Sequence, residues 1–477
     1  MTAALWVFGG YFVALFALGA WAVRRTRDES DYWIAGGRLG WLTGGATLAA
    51  THASAGTFIG TVGVIYTVGW SFAWLVLTIP LAYGFMAAVL APRFTRVREL
   101  TLPAFLETRY RSKAVRTVGA VIILVATVVY IQAQIVAGGL VANTLFGVPT
   151  LWGMTGFTAL LVVYTMVGGM VAVVYTDVLQ LAVMTVGALA AVPLALRHLG
   201  GLEGLLSWAR VADPGTFAWG ALPGPLLFTM AVAFTLGSVS TPEKLVRLYA
   251  MRDMTTVRRG ILLAVILTTG MNLLVFLLAL SARVLFPALP TGDLAMPLVA
   301  TTVLPGVLGA LMLAAVTAAM MSTVDSLLLV AGSALAHDLY GSLAGERASR
   351  RVRLWIDRAG IVVVGTVPLI LLASGVGEGE LVQFIVLLFS ALMAAAFFAP
   401  VVLGVYWARA NRQGALAAML GGAGATFLWE AAGPETVDPV LPGVVVSFFL
   451  LWAVSLLTAP PEGDSLAPYR DPRDIAA

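Results

Sequence analysis

Residues 48–60 read LAATHASAGTFIG, a run of small and polar residues inside an apolar stretch where a membrane-spanning helix would otherwise be continuous. In lipid, every backbone N–H and C=O group needs a partner within the protein. A weakened segment at this depth is therefore tolerated mainly where the chain lines a cavity. The glycine, hydroxyl and histidine content also exceeds what helix packing needs. The segment is a candidate binding site.

The composition is that of a polytopic membrane protein. Of the 477 residues, 60% are hydrophobic and 11% are charged, against about 25% charged in soluble domains, and the mean hydropathy is +0.95. The chain has no cysteine, which excludes disulfides and cysteine metal sites. We predict an all-α fold of about thirteen spans of roughly 20 residues, at about 3–23, 41–66, 72–91, 117–144, 150–167, 171–196, 224–246, 258–283, 304–336, 355–374, 380–406, 413–431 and 440–459.

The basic residues predict the orientation of the chain in the membrane. If the segment after the first span (RRTRDESDYWIAGGR, 24–38) is cytoplasmic, all but three of the 28 Lys and Arg residues fall on the cytoplasmic side. The exceptions are Arg197, Arg210 and Arg283. The positive-inside rule then places the N-terminus outside and the C-terminus inside. There is no clustered basic face with interleaved aromatic residues, so no nucleic-acid partner is expected.

The longest cytoplasmic stretch, 92–116, contains a short amphipathic segment from Pro103 to Tyr110. We expect this segment to lie on the membrane surface. No linker is long enough to separate domains, so residues 1–477 are predicted to form a single membrane domain.

Two spans are interrupted in corresponding positions. If the first span is counted as a leader, core helix 1 carries the interruption quoted above, and core helix 6, five helices later, carries GSVSTP at 237–242. Interrupted spans in matching positions of two five-helix halves indicate an inverted-repeat transporter with its site between the breaks. The alternative is that Pro242 ends a helix near the cytoplasmic face without functional meaning.

Core helix 8 carries a face of small and hydroxyl residues. Ala319, Ser322, Thr323 and Ser326 stand at i, i+3, i+4 and i+7, so they share one side of the helix. Their neutral oxygens are hard ligands that suit an alkali cation bound and released in each cycle. The alternative is that these residues only let helices pack closely and hydrogen-bond.

Three ionisable residues are predicted at membrane depth, where they are costly and mark functional sites. Asp177 in core helix 5 and Asp325 in core helix 8 each have two interpretations. Each either holds a cation or is a structural carboxylate that accepts hydrogen bonds from an Arg or from helix N-terminal N–H groups. His52 contacts a substrate carboxylate or relays a proton, or else satisfies the broken backbone as a neutral group.

Four segments resemble, in order and at similar spacing, the sodium:solute symporter family, which includes sodium-coupled proline, pantothenate, sialic acid and sugar transporters. They are DYWIAGGRLGWLTGGATLAATHASAGTFIG (31–60), GGMVAVVYTDVLQ (168–180), TPEKLVRLYAMRD (241–253) and AAMMSTVDSLLLVAGSALAHDLY (318–340). The resemblance implies a leucine-transporter-type fold with two inverted five-helix repeats. It places the leader helix and first loop at 1–40, the repeats at 41–196 and 197–410, and two trailing helices with a cytoplasmic tail at 411–477.

The resemblance also implies sodium sites. The family's principal site uses two carbonyls at the break in core helix 1, here Ala50 and Ala53, and a carbonyl and two hydroxyls of core helix 8, here Ala319, Ser322 and Thr323.

Members of the family with a second sodium site build it from an acid that matches Asp177 and a serine that matches Ser326. Asp325 is a further candidate for this second site or for the path by which the ion leaves.

The solute is predicted to be small and partly apolar. A sugar is not expected, because Thr57 stands where the sugar-transporting relatives have glutamine and their polar contacts on core helix 2 fall in an apolar run near Val76. The polar side chains able to face the cavity are His52, Ser54, Thr57, Gln132, Gln134, Thr241 and Ser390.

These inferences predict a multi-pass protein of the cell membrane that brings a small organic solute into the cell by sodium symport and alternating access. The solute would be an organic acid, a pantothenate-like compound or an amino acid. The alternative is a proton-coupled symporter in which His52, Asp177 or Asp325 titrates. A membrane enzyme or sensor is a remote alternative, because there is no paired metal-ligand motif and no spacing of a nucleophile and a base.

Overall fold

The computed structural model describes residues 2–24, 29–97, 99–167, 169–211, 213–218, 220–344, 349–377, 379–464 and 466–469. Within these residues the chain is helical, and its one β-type contact is an isolated bridge between Leu39 and Met251. Residues 25–28, 345–348 and 470–477 of the segments predicted to be cytoplasmic lie outside the described residues, as does Gly168 of the second quoted motif.

The principal helices are numbered here in chain order. They are α1 (Thr2–Val23), α2 (Trp41–His52), α3 (Gly56–Phe72), α4 (Leu75–Phe94), α5 (Leu102–Tyr110), α6 (Lys113–Phe146), α7 (Thr150–Val167), α8 (Met170–His198), α9 (Gly201–Val211), α10 (Gly224–Ser240), α11 (Pro242–Ala250), α12 (Met254–Leu285), α13 (Gly292–Val303), α14 (Gly306–Gly341), α15 (Arg350–Ala373), α16 (Val382–Tyr406), α17 (Arg412–Ala432) and α18 (Val440–Leu457).

The lengths of these helices fit a polytopic membrane protein. In the described part of the chain, nine helices are long and apolar enough to cross a membrane, or eleven if each of two bent pairs counts as one span. The predicted spans at 3–23 and 150–167 correspond to the shorter apolar helices Trp6–Ala22 and Thr150–Met166. The all-α fold is confirmed, and the number of thirteen spans stays a prediction.

Both predicted interruptions are breaks in the structure. The chain bends by 54° between α2 and α3 and by 40° between α10 and α11. At the first break Ala53 is extended (φ −72°, ψ 116°). At the second, Thr241 is extended (φ −75°, ψ 128°) and Pro242 begins the next helix. Proline at that position fits because the first N–H groups of a helix have no intrahelical acceptor.

The broken helices lie around a buried centre. The most apolar stretches of α14 and α16 are 83% and 89% buried, against 28% for α18 at the periphery. Helix α14 packs against α1, α2, α6 and α8, while α10 packs against α16. Because α2 also contacts α11, the two breaks lie near each other.

The short helix α5 packs against protein, which differs from the predicted position on the membrane surface. Its apolar residues are buried against α6 and α16. Arg109, 2% exposed, donates to the carbonyl of Gly404 in the last turn of α16 and to those of Trp407 and Ala410 just beyond it. Amphipathic spacing in the sequence shows that one side of a helix is apolar, but it does not tell lipid from protein as the partner.

Lys244 and Arg247, counted with the basic residues of the cytoplasmic side, do not lie in an exposed loop. Their exposed fractions are 7% and 1%, so both lie inside the bundle. The reason is the bend: the predicted span at 224–246 stops at Ser240, and α11 continues inward for nine residues. The positive-inside rule treats basic residues between spans as loop residues, so it does not identify a short buried helix that follows a break.

Candidate functional site

Five oxygen-bearing residues meet where α2 ends against α14. Ser322 Oγ donates to the carbonyls of Ala50 and Ala319, each at 3.0 Å. Thr323 Oγ1 donates to the carbonyls of Ala53 and Ala319, each at 3.2 Å. All five residues are buried. We call Ala50, Ala53, Ala319, Ser322 and Thr323 the oxygen cluster. These are the five residues predicted for the principal sodium site, and the structure brings them together.

The oxygens from α2 are available because the helix stops. The last carbonyls of a helix have no intrahelical donor, and they form the negative end of its dipole. The chain turns away after His52, so Ala50 and Ala53 present their carbonyls to α14. Neutral hard oxygens at a negative helix end suit a monovalent cation. No group of three or more His, Asp or Glu residues able to hold a metal occurs in the described parts of the chain.

The broken backbone is satisfied by side chains near the break. The N–H of Ala55 donates to Gln134 Oε1 at 2.9 Å, and the N–H of Gly56 donates to Ser54 Oγ at 3.0 Å. The N–H of Ser54 donates to Thr57 Oγ1 at 3.3 Å. Gln134 was predicted to contact the solute, whereas here it supports the backbone of the break.

Asp177 belongs to a buried hydrogen-bond network around Arg247. Its Oδ2 accepts from Arg247 Nη2 at 2.9 Å and from the hydroxyl of Thr47. Arg247 also donates to Ser326 Oγ at 2.7 Å, to Thr47 Oγ1 at 2.9 Å and to the carbonyl of Glu243 at 2.7 Å. Asp177 and Ser326, predicted together as a second ion site, are therefore joined through a guanidinium.

Arg247 was not identified as a site residue from the sequence, although the quoted TPEKLVRLYAMRD segment contains it. The available signal was its position in the second turn after Pro242, within reach of the break. That signal becomes specific only once α11 is known to run inside the bundle.

Asp325 lies apart from this network. Its Oδ1 accepts from Thr165 on α7 at 2.7 Å, and its Oδ2 has no hydrogen-bond partner among the described residues. Asp325 directly precedes Ser326 in α14, so helical spacing turns it away from the hydroxyl face, in agreement with this separation. Of the three residues predicted for the second site, the structure brings two together and leaves the third facing another helix.

A cavity lies between the two breaks, beside the oxygen cluster. Of the seven residues predicted to face a solute, His52, Ser54, Thr57, Thr241 and Ser390 line it. Gln132 and Gln134 do not line it. Polar or aromatic lining residues that sequence reasoning missed are Thr61, Thr78, Tyr130, Ser238, Glu243, Lys244, Asn272 and Gln383. The apolar lining residues are Leu75, Ile79, Phe234, Val386 and Phe389.

His52 joins the cavity to the oxygen cluster. It follows Thr51, whose carbonyl lies 3.4 Å from Thr323 Oγ1, and its ring lines the cavity 5.9 Å from the ring of Tyr83. Its Nδ1 is buried and has no hydrogen-bond partner among the described residues. The backbone around His52 therefore faces the cluster, while its imidazole has a free hydrogen-bonding position beside the cavity.

Two facing helix breaks, a polar cavity between them and an oxygen cluster at one break define the class of secondary transporters whose solute binds near the membrane midplane. The chain belongs to the sodium:solute symporter family, whose sequence model matches residues 32–422. It is a multi-pass membrane protein with a leucine-transporter-type fold, and sodium is its coupling ion.

Individual relatives match this protein over nearly the whole chain, in sequence or in structure. The osmoregulated proline transporter OpuE of Bacillus subtilis (strain 168) is 28% identical over 468 residues, covering 95% of this chain and 94% of the relative. The sodium/pantothenate symporter of Haemophilus influenzae is 28% identical over 450 residues, covering 91% and 92%. A Na+-coupled sialic acid symporter in a substrate-bound outward-open state has a similar structure, with a TM-score of 0.82 at 20% identity and coverage of 96% and 98%.

Proposed function

We propose that this symporter carries a small organic solute, either an organic acid, a pantothenate-like compound or an amino acid, with sodium bound at the oxygen cluster. One observation carries the proposal. The chain between Ala50 and Ser54 presents carbonyls to α14 while His52 and Ser54 line the cavity. An ion on one side of this break and a solute on the other would bind to the same few residues.

This shared segment explains coupling. Sodium at the oxygen cluster would bind α2 to α14 and hold the end of α2 in the conformation that shapes the cavity. The solute would then meet a preorganised break. A coupling free energy of about 1–3 kcal/mol would raise solute affinity about 5- to 150-fold, and the solute would raise sodium affinity by the same factor.

We propose that Asp177, Ser326 and Asp325 act as a second sodium site or in the path of the ion toward the cytoplasm. The carboxylate of Asp177 lies close to the oxygen cluster. It accepts from Arg247, which also donates to Ser326, and Ser326 is one helical turn from Ser322. A second ion at Asp177 and Ser326 would require Arg247 to move.

The proposed organisation follows the two breaks. The repeats run over 41–196 and 197–410, with the leader helix and first loop at 1–40 and the trailing helices and tail at 411–477. The whole forms one membrane transport domain, with the N-terminus outside the cell and the C-terminus in the cytoplasm. The family and its relatives point to transport, and we propose no enzymatic reaction for the chain.

Uptake into proteoliposomes tests this function. Purified protein is reconstituted, and accumulation of radiolabelled proline, pantothenate and other organic acids is measured with an inward sodium gradient. Accumulation that requires sodium supports the proposal. Accumulation in sodium-free buffer under an imposed pH gradient would instead support proton coupling through His52, Asp177 or Asp325 and would contradict it.

A further inference from the structure

Two oppositely charged side chains line the cavity side by side at the start of α11. Glu243 and Lys244 are 2% and 7% exposed, and both belong to the cavity wall. Lys244 Nζ donates to Ser238 Oγ at 3.2 Å. Glu243 Oε2 is buried without a hydrogen-bond partner among the described residues.

Neither charge is neutralised by an ion pair within the described chain. Two other buried charges nearby already have each other as partners, since Arg247 Nη2 lies 2.9 Å from Asp177 Oδ2. The guanidinium also donates to Thr47, Ser326 and the carbonyl of Glu243. Lys244 uses one of the three donors of an ammonium group.

Such an arrangement is unfavourable unless a partner completes it. A buried charge with incomplete hydrogen bonding is strongly unfavourable. Charged residues at membrane depth usually pair with one another or face a substrate path. Here Glu243 and Lys244 both line the cavity where the solute is proposed to bind. The missing partners are therefore expected on the solute.

We propose that Lys244 and Glu243 determine the specificity of the symporter by binding the two charges of a zwitterionic amino acid. This inference rests on the proposed function and names the substrate class of its site. Lys244 binds the carboxylate and Glu243 accepts hydrogen bonds from the ammonium group. The apolar side chain of the solute packs against Phe234 and Phe389.

A solute with only one of these charges would leave a cavity charge unmatched. A carboxylic acid without an amine brings nothing to Glu243, and an amine without a carboxylate brings nothing to Lys244. Selectivity by unmatched polar groups is strong, because the site's own buried groups lose their water without gaining a partner.

The test uses isosteric sets of solutes. L-Proline, cyclopentanecarboxylate and pyrrolidine share a five-membered ring and differ in which charges they carry, and the other amino acids are compared in the same way with their des-amino and decarboxylated analogues. Binding to the full-length protein is measured in sodium by thermal shift and calorimetry. At least one amino acid should bind. The dissociation constants of its single-charge analogues should be higher by a factor of at least about ten.

Variants assign the two charges to their residues. Lys244→Gln and Glu243→Gln should each weaken amino-acid binding by more than about tenfold. Lys244→Arg, which keeps the charge, should retain more affinity than Lys244→Gln. Lys113→Gln is the matched control, since Lys113 is exposed and donates to the carbonyl of Ser342 away from the cavity. Unchanged unfolding temperatures exclude a folding defect; if Lys244→Gln is poorly folded, Glu243→Gln carries the test.

Failure of this inference differs from failure of the proposed function. Sodium-dependent uptake of a solute that lacks one charge, or wild-type affinity for the amino acid in Lys244→Gln, would overturn the inference and leave sodium symport standing. The inference is also overturned if no amino acid binds in sodium. Uptake that does not require sodium would overturn the proposed function itself.

Discussion

Arg247 shows how a single residue ties four helices together. Its guanidinium contacts Thr47 on α2, Asp177 on α8, Glu243 on α11 and Ser326 on α14. A guanidinium has five donors in a planar fork, which suits it to several acceptors at once. The same contacts make the residue hard to replace, because Asp177 would be left as a buried charge without its cation.

Replacing Arg247 should destabilise the fold. Arg247→Met removes the only basic partner in the described ion pairs of Asp177, and breaking a buried pair in this way costs about 3–5 kcal/mol. Thermal unfolding of the purified protein should show a lower midpoint. Adding Asp177→Asn to Arg247→Met should recover much of the loss, since it removes the unpaired charge.

The control for this pair is Arg252→Met. Arg252 Nε lies 3.1 Å from Asp253 Oδ2, and the Arg252 side chain is 65% exposed, so this solvent-exposed pair should contribute little to stability. Equal loss of stability in Arg247→Met and Arg252→Met, or no recovery in the double variant, would contradict the interpretation of the buried network.

His52 should contribute to solute affinity more than to sodium binding. Its imidazole lines the cavity, whereas the carbonyls of Ala50 and Ala53 face the oxygen cluster. His52→Ala should therefore weaken solute binding, measured by calorimetry in saturating sodium. Sodium binding measured without solute should change little. Loss of sodium binding with intact solute affinity would make His52 a support of the ion site.

At the scale of elements, Asp293 lies between two predicted spans and contacts the helices α3 and α16. It lies in α13, which connects α12 to α14, and its Oδ2 accepts from the N–H of Val382 at the start of α16 at 2.9 Å. A Cβ at Gly63 on α3 would lie 2.5 Å from Asp293 Oδ1, so the backbone there packs directly on the carboxyl group. Burial raises the pKa of Asp293 to about 7.

This pKa predicts a pH dependence of stability. Because the pKa of Asp293 is higher in the folded state than its ordinary value of 3.8, the folded state holds the proton more tightly than the unfolded chain. The contribution of Asp293 to stability is therefore full at acidic pH and is lost as the pH rises toward and through 7. In Asp293→Asn, unfolding midpoints measured between pH 5 and 8 should fall less with rising pH. An identical slope in both proteins would refute the assignment.

The close approach of α10 to α16 depends on Gly237. A Cβ there would lie 2.5 Å from the backbone oxygen of Ser390, a residue of the cavity wall. Gly237→Ala should force these helices apart, with a loss of about 1–3 kcal/mol typical of overpacking and weaker solute binding. Gly270→Ala on α12 is the control, because nothing lies within 4 Å of its added Cβ. Stability and affinity that do not differ between the two variants would contradict this packing argument.

The elements also show what sequence can predict. Helical spacing alone grouped Ala319, Ser322 and Thr323, because residues three and four apart share a face of any helix. Helical spacing does not predict which other segment packs against that face. The carbonyls of Ala50 and Ala53 were predicted from the family resemblance. Lys244 was missed because its burial depends on the direction that α11 takes after the break, which no local pattern specifies.

At the scale of the whole molecule, the oxygen cluster and the cavity share one interrupted helix. The spans and both breaks could be predicted because hydrophobicity and Gly, Pro and Ser content report directly on membrane helices. The roles of Gln134 and Asp325 could not, since a polar residue at membrane depth looks the same in sequence whether it faces a cavity, the backbone of a break or another helix.

The sodium dependence of uptake in Ser322→Ala and Thr323→Ala tests the central claim most directly. Each change removes one hydroxyl of the oxygen cluster, and the half-saturating sodium concentration should rise by about tenfold, as expected for a loss of about 1.4 kcal/mol. Thr317→Ala is the matched control on the same helix, since among the described residues its hydroxyl donates to the carbonyl of Leu313 within α14. Its sodium dependence should match that of the wild type. An unchanged half-saturating concentration in both cluster variants, with normal folding, would contradict sodium binding at the oxygen cluster.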